Sequence, residues 1–225
     1  MSSGDALFGG RDFAAVIFDM DGTLIDSTPA VNRSWTTWAT EFGVTREQLD
    51  GNHGVPAAAI AAKVLPADRV AEAVARIAAL ELADVEGVVP LPGAVRAMAE
   101  LAGVPHAIAT SSTAPLAAAR LAASELAPPD VLVTADDVER GKPAPDPFLL
   151  AARRLGVDPG DCLVVEDAPQ GLVAARAAGC TTLAVITTTA RDELSADAIV
   201  PDLGAVRWQP RDGGRVALAA VDQPE

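Results

Sequence analysis

A chain of 225 residues, half of them hydrophobic, is long enough to bury a real core, as one large domain or as a domain with a smaller insert. Its formal charge of −14 argues against nucleic acid or an anionic membrane surface as a partner. No apolar segment reaches membrane-spanning length, and Met1-Ser2-Ser3-Gly4-Asp5 lacks the basic start and apolar run of a signal peptide, so a cytoplasmic location is the expectation.

The first predicted element is the apolar run Ala14 to Phe18, which reads as a buried, parallel strand. It ends in Asp19-Met20-Asp21-Gly22-Thr23. Extended geometry carried past Phe18 would aim Asp19 and Asp21 to the same side. Two carboxylates so close repel, which points to a bound cation or a shared proton. The plain alternative is a strand closed by an Asp-Gly turn. From Pro29 to Leu91 no strand pattern appears. Val31, Trp35 and Trp38 are spaced as on a helix, and Pro56 to Leu65 and Asp68 to Asp84 also read as helices. The stretch from Glu86 to Gly93 reads as a linker. A helical insert over residues 29–92 follows, with residues 1–28 and 93–225 forming the body. Trp35 and Trp38 are expected in the packing of that insert.

Three more apolar runs end in polar groups. His106 to Ala109 leads into Thr110-Ser111-Ser112; Val131 to Val133 leads through Asp136-Asp137 to Gly141-Lys142-Pro143; Cys162 to Val165 leads into Glu166-Asp167. A fifth run, Thr182 to Ile186, ends in three threonines. Alanine-rich helical segments lie between them: Thr113 to Leu126, Asp146 to Leu155 and Pro169 to Ala178. Alternating strands and helices predict an α/β fold, a doubly wound parallel sheet with a small helical domain inserted after the first strand. Ligands of such sheets bind beyond the carboxyl ends of the strands, where all four polar endings fall. The residues from Pro210 onward are weakly patterned, although Val216 to Val221 suits docking on the body. Cys162 and Cys180 lack metal-site spacing and read as reduced core thiols; Asp136 and Asp137 read as a solvated turn. Lys63 and Lys142 are the only lysines, so each invites a question.

These endings supply what attack on a phosphate monoester needs. Asp19 is the candidate nucleophile, and Asp21 the general acid that later serves as base for water. Glu166 and Asp167, with Asp19 and Asp21, are the candidate Mg²⁺ ligands, since Mg²⁺ takes hard oxygen donors and keeps several waters. Thr110 and the backbone N–H groups of Ser111 and Ser112 stand at a helix start, suited to phosphoryl oxygens. Lys142 is expected to pair with Asp19 and the phosphate. Two unit charges 4 Å apart interact by ~4 kcal/mol at an effective dielectric of 20. Such local attraction outweighs a diffuse surface charge screened over ~8–10 Å.

The four endings, in this order, resemble the motifs of the haloacid dehalogenase superfamily of phosphotransferases, across about Val16 to Val200. The resemblance implies a Rossmann-like core, Mg²⁺, an aspartyl-phosphate intermediate and a helical cap between the first two motifs. Gly51-Asn52-His53-Gly54, the Glu86-Gly87 to Leu91-Pro92-Gly93 linker, Thr134 to Val138 with Gly141-Lys142-Pro143, and Val165 to Gly171 resemble the sugar- and polyol-phosphate phosphatases. That implies a small phosphorylated sugar or polyol as substrate, with His53 as a candidate cap contact to it. A β-phosphoglucomutase-like sugar phosphomutase is the alternative. Thr23 and Val31 stand where that enzyme usually has valine and histidine, which favours hydrolysis. Asp21 argues against carbon–halogen cleavage, which needs no acid for a leaving alkoxide. A phospho-ligand-binding protein without turnover is disfavoured by the intact set. A monomer or weak homodimer is the expected assembly.

Overall fold

The computed structural model describes residues 6–49 and 55–221. In chain order, β1 (Asp12–Phe13) and β2 (Ala15–Phe18) lead to β3 (Ile25–Asp26). Four helices follow: α1 (Thr28–Phe42), α2 (Arg46–Leu49), α3 (Ala57–Val64) and α4 (Val70–Ala83). The chain returns through β4 (Val89–Pro90) to α5 (Ala94–Glu100), β5 (His106–Ala109), α6 (Ala114–Ala123) and β6 (Val131–Val133). Then come α7 (Asp146–Leu155), β7 (Cys162–Glu166), α8 (Pro169–Ala177), β8 (Thr181–Val185), β9 (Ala198–Val200), β10 (Val206–Arg211) and β11 (Arg215–Ala220).

Six strands form one parallel sheet in the order β6-β5-β2-β7-β8-β9, the doubly wound α/β arrangement expected from the sequence. The continuous apolar runs are explained by burial on both faces. Val16, Phe18, Ile108, Leu163 and Val165 face one cluster with Ala97 of α5, Leu101 just after it and Leu121 of α6. Ala15, Ile17, Ala107 and Val164 face the other, against Phe148 and Ala151 of α7 and Ala174 of α8. Both cysteines are buried and free, Cys162 in β7 and Cys180 just before β8, as read from their apolar surroundings.

The region expected to be weakly patterned is structured through residue 221. β10 and β11 pair antiparallel around the turn at Asp212–Gly214, and β1 adds to β11. Alternation explains it: Val206 and Trp208 turn inward from β10 while Arg207 faces solvent. Trp208 meets Phe18 edge-to-face, ring centroids 5.5 Å apart, so the hairpin closes one face of the main sheet. The expected linker also carries β4. It pairs antiparallel with β3, Ile25 opposite Pro90 and Asp26 opposite Val89, so the two chain crossings between body and helices run side by side.

The helices between those crossings have their own core of Trp38, Phe42, Val44, Ala61, Ala73 and Ile77, with Trp35 half-buried against it. Trp38 is fully buried and its indole Nε1 donates to the Ala73 carbonyl at 2.8 Å. An ion pair from Arg33 to Asp84 at 2.7 Å ties the start of this segment to its end. Among the described residues, no helix is long and apolar enough to cross a membrane.

Candidate active site

Five neighbouring strands deliver the site. In spatial order, Lys142 comes from the loop after β6, Thr110 follows β5, Asp19 follows β2, Glu166 and Asp167 end β7, and Thr188 follows β8. β2 sits where the order reverses, with β5 on one side and β7 on the other, so Asp19 stands at a topological switch point.

Asp19 extends the pairing of β2 by one bond, its N–H donating to the Val165 carbonyl at 2.9 Å. The next residues turn back: Leu24 N–H donates to Met20 O at 2.9 Å, and Gly22 N–H to Ile25 O at 2.8 Å. Gly22 has φ +86°, and a Cβ there would run into the Asp167 carboxylate, so glycine is required both for the turn and for the close approach. The turn separates the two aspartates. The Asp19 carboxylate meets Lys142, whereas Asp21 Oδ2 accepts from Ser112 Oγ at 3.0 Å and Oδ1 lies 3.1 Å from Arg120 Nη1.

Lys142 Nζ is buried between two carboxylates, 2.5 Å from Asp19 Oδ1 and 2.7 Å from Glu166 Oε1, and stands 5.0 Å over the Phe148 ring. Burial pulls the Lys142 pKa down, but Asp19 and Glu166 together hold it above the ordinary lysine value. Glu166 Oε2 accepts the N–H groups of Asp167 and Ala168, both at 2.9 Å. Asp167 Oδ1 accepts from the Thr23 hydroxyl at 3.1 Å, and Oδ2 accepts from the Thr188 hydroxyl. Burial raises the Asp19 pKa well above the usual carboxylate range, against the pull of Lys142. Burial and the Glu166 charge push Asp167 up to about 7.

Ligand oxygens of Asp19, Glu166 and Asp167 all lie within 4.8 Å of one another. Three buried carboxylates against one ammonium leave an excess of negative charge in a poorly solvated place, which a hard divalent cation relieves. The donor set therefore fits Mg²⁺. Glu166 is held by an ammonium and two backbone N–H groups, whereas the Asp167 oxygens meet only the hydroxyls of Thr23 and Thr188, which can turn away, so Asp19 and Asp167 are the pair better placed to hold it. The Asp21 carboxylate is turned away from this group, toward Ser112 and Arg120.

Thr110 is buried at the end of β5, and its Oγ1 accepts the Ser112 N–H at 3.0 Å, which leaves its hydroxyl hydrogen for another acceptor. Ser111 is exposed just ahead of α6. Asp136 accepts from Ala114 N–H at that helix start, and Asp137 caps its own loop, so this pair is structural rather than merely solvated. His53 lies outside the described residues.

Sequence reasoning passed over Thr188, Arg120 and Glu81, and read Thr23 only as a sign of hydrolysis. Thr23 and Thr188 orient Asp167; the run of three threonines after β8 was the available signal for the second. Arg120 and Glu81 gave none, because each sits within an ordinary alanine-rich helix. A cleft of about 490 Å³ lined by Gly22, Asp26, Thr28, Asn32 and Thr188 opens beside these groups.

Charged and hydroxyl groups from five strand ends converge where the strand order reverses, the place where ligands of α/β sheets bind. Residues 13–179 match the family model of haloacid dehalogenase-like hydrolases, and the chain belongs to that family. It is 43% identical over 175 residues to hexitol phosphatase A of Escherichia coli (strain K12), covering 75% of this chain and 81% of that one. It is 37% identical over 175 residues to fructose-1-phosphate phosphatase YqaB of the same organism, covering 74% and 93%. Among solved structures it is similar to a hydrolase from Pseudomonas syringae, with a TM-score of 0.74 at 27% identity over 84% of this chain and 94% of that one.

Proposed function

We propose that this protein is a Mg²⁺-dependent phosphatase that hydrolyses a small phosphorylated sugar or polyol through an aspartyl-phosphate intermediate. The observation that carries the reading is the grip of Lys142 on Asp19 beside Asp167 at the switch point of the sheet. The names of the two Escherichia coli relatives support the substrate class.

Lys142 takes Oδ1 of Asp19, which leaves Oδ2 as the nucleophile. Oδ2 attacks phosphorus, the bond from phosphorus to the ester oxygen breaks, and Asp21 gives that oxygen its proton. Water then attacks the phosphorus of the aspartyl phosphate. Asp21 takes the water proton, the bond from phosphorus to Asp19 breaks, and the free carboxylate returns. The Thr110 hydroxyl and the N–H groups of Ser111 and Ser112 serve the phosphoryl oxygens, and Lys142 offsets their charge. Held by Asp19 and Asp167, Mg²⁺ would neutralise charge on the phosphoryl group. Helices α1 to α4 act as the cap over residues 29–92, placed by the paired β3 and β4 crossings.

The test is phosphate release from a panel of hexose, hexitol and glycerol phosphates, with Mg²⁺ and with chelator, for the wild type and Asp19→Asn. The reading expects release only by the wild type with metal. Full activity in Asp19→Asn would overturn the nucleophile, and isomerisation of a hexose phosphate faster than phosphate release would favour a mutase.

A further inference from the structure

Arg120 has no task in the reaction as written, yet it is one of the most buried charges in the protein, 4% exposed on α6. Its guanidinium spreads over three groups. Nη1 lies 3.1 Å from Asp21 Oδ1 and donates to Ser112 Oγ at 3.2 Å, while Nη2 lies 3.5 Å from Glu81 Oε1. Ser112 in turn donates to Asp21, which closes a ring of Arg120, Ser112 and Asp21. Glu81 belongs to α4, in the helical insert, and its side chain is only 18% exposed. Burial raises the Glu81 pKa, against the pull of Arg120 and a weaker one from Trp35 of α1. One cation of the body is therefore shared between the active-site loop and the insert.

We propose that Arg120 is a positioning residue for Asp21 and that Glu81 is its anchor on the insert, so that Asp21 is aligned only when the insert is seated. The guanidinium is a rigid planar fork, so fixing Nη2 on Glu81 fixes where Nη1 stands. Asp21 Oδ1 is buried without a hydrogen-bond partner although Nη1 is 3.1 Å away. It is held by charge and not by a directed bond, so its position follows that of the guanidinium. The longer contact, at 3.5 Å to Glu81, is the one that breaks when α4 moves off. The proposal rests on Asp21 as the proton donor to the leaving oxygen.

The experiment compares two leaving groups. A p-nitrophenolate leaves without help from an acid, whereas an alkoxide needs the proton. With Mg²⁺ present, kcat and KM are measured for wild type, Glu81→Gln, Arg120→Lys and Arg120→Met, on p-nitrophenyl phosphate and on the best alkyl ester of the panel. In kcat/KM, which covers the steps up to departure of the leaving group and leaves out the Asp21-assisted hydrolysis common to both esters, loss of alignment predicts a fall of roughly tenfold or more on the alkyl ester, part of what a general acid contributes. It predicts a fall in kcat/KM of no more than about twofold on p-nitrophenyl phosphate, and partial rescue by Arg120→Lys relative to Arg120→Met. Equal losses on both esters, or none, overturn the proposal. Hydrogen exchange on the metal-loaded protein needs no turnover. Glu81→Gln should speed exchange in α4 and in residues 20–25 together, while Arg76→Gln, which breaks the insert's own pair with Glu41, should leave residues 20–25 unchanged. Unchanged exchange in Glu81→Gln also overturns it. A wild type that cleaves neither ester counts against the proposed function, and the exchange result still decides the Arg120–Glu81 link.

Discussion

Glu166 holds Lys142 at 2.7 Å through Oε1 while its Oε2 accepts the backbone N–H groups of Asp167 and Ala168. The glutamate therefore works behind the site. It fixes the lysine that fixes Asp19, and the loop that presents Asp167. Lys142→Met removes the one ammonium from three crowded carboxylates. Stripping one partner from a buried pair costs about 3 kcal/mol, read from denaturant unfolding in chelator. Losing a charge aimed at the reacting phosphoryl group lowers kcat by about a hundredfold or more. A variant within a few-fold of wild-type kcat would remove Lys142 from the catalytic account.

A metal held at Asp167 would tie stability to pH. Burial and the Glu166 charge raise its folded-state pKa to about 7, from 3.8 in the unfolded chain. The metal-free folded protein then binds more protons than the unfolded chain between those values. Its stability from this group is full below about pH 4 and is lost as pH rises through about 7. A bound divalent cation takes over the charge compensation and removes that loss. The melting temperature with Mg²⁺ should exceed that with chelator by a margin that widens from about pH 5 to about pH 8. A margin independent of pH, or no margin, contradicts the site.

Much of the sheet was legible because strands buried on both faces read as unbroken apolar runs, and their polar ends stood out against them. Asp19, Thr110, Lys142 and Asp167 are recognisable for that reason, and the structure brings them to neighbouring strand ends. The hairpin of β10 and β11 was hidden by its composition: Arg207, Gln209, Pro210 and Arg211 mask the inward Val206 and Trp208. Helix α5 was missed because Ala94–Glu100 is short and starts against Pro92-Gly93, which reads as a break. Strand spacing did not foresee that the turn at Gly22 would send Asp19 and Asp21 to different partners. The contacts of Arg120 and Glu81 span 39 residues, and no local pattern records such a pairing.

Gly171 offers a test of how tightly Glu166 is seated. Alanine for glycine inside a helix ordinarily stabilises by about 1 kcal/mol. In α8 the added methyl would fall on the Glu166 carboxyl group, which has no free side to move to because both oxygens are bonded. Gly171→Ala is expected to reverse the usual sign, lowering the melting temperature, and to reduce kcat by at least about tenfold as Lys142 loses its guide. The measurement pairs thermal unfolding with steady-state kinetics. A stabilised, fully active variant would show that the Glu166 contacts do not matter.

Asp137 anchors the far end of the loop that carries Lys142. Its Oδ2 accepts from the Thr134 N–H at 2.9 Å and the Thr134 hydroxyl at 2.8 Å, and its Oδ1 meets Arg154 at 2.6 Å. The Arg154 bond first, and then those from Thr134, lower its pKa from 3.8 to about 2. A carboxylate depressed in the folded state contributes stability that is present above about pH 4 and lost as pH falls through about 2. The side chain is 27% exposed, so solvent screens the pair and Asp137→Asn should cost about 1 kcal/mol at neutral pH. Urea unfolding of both proteins at descending pH should show the difference shrinking below about pH 4. A difference that stays constant down to about pH 2 would mean that the caps on Thr134, and not the charge facing Arg154, hold the loop.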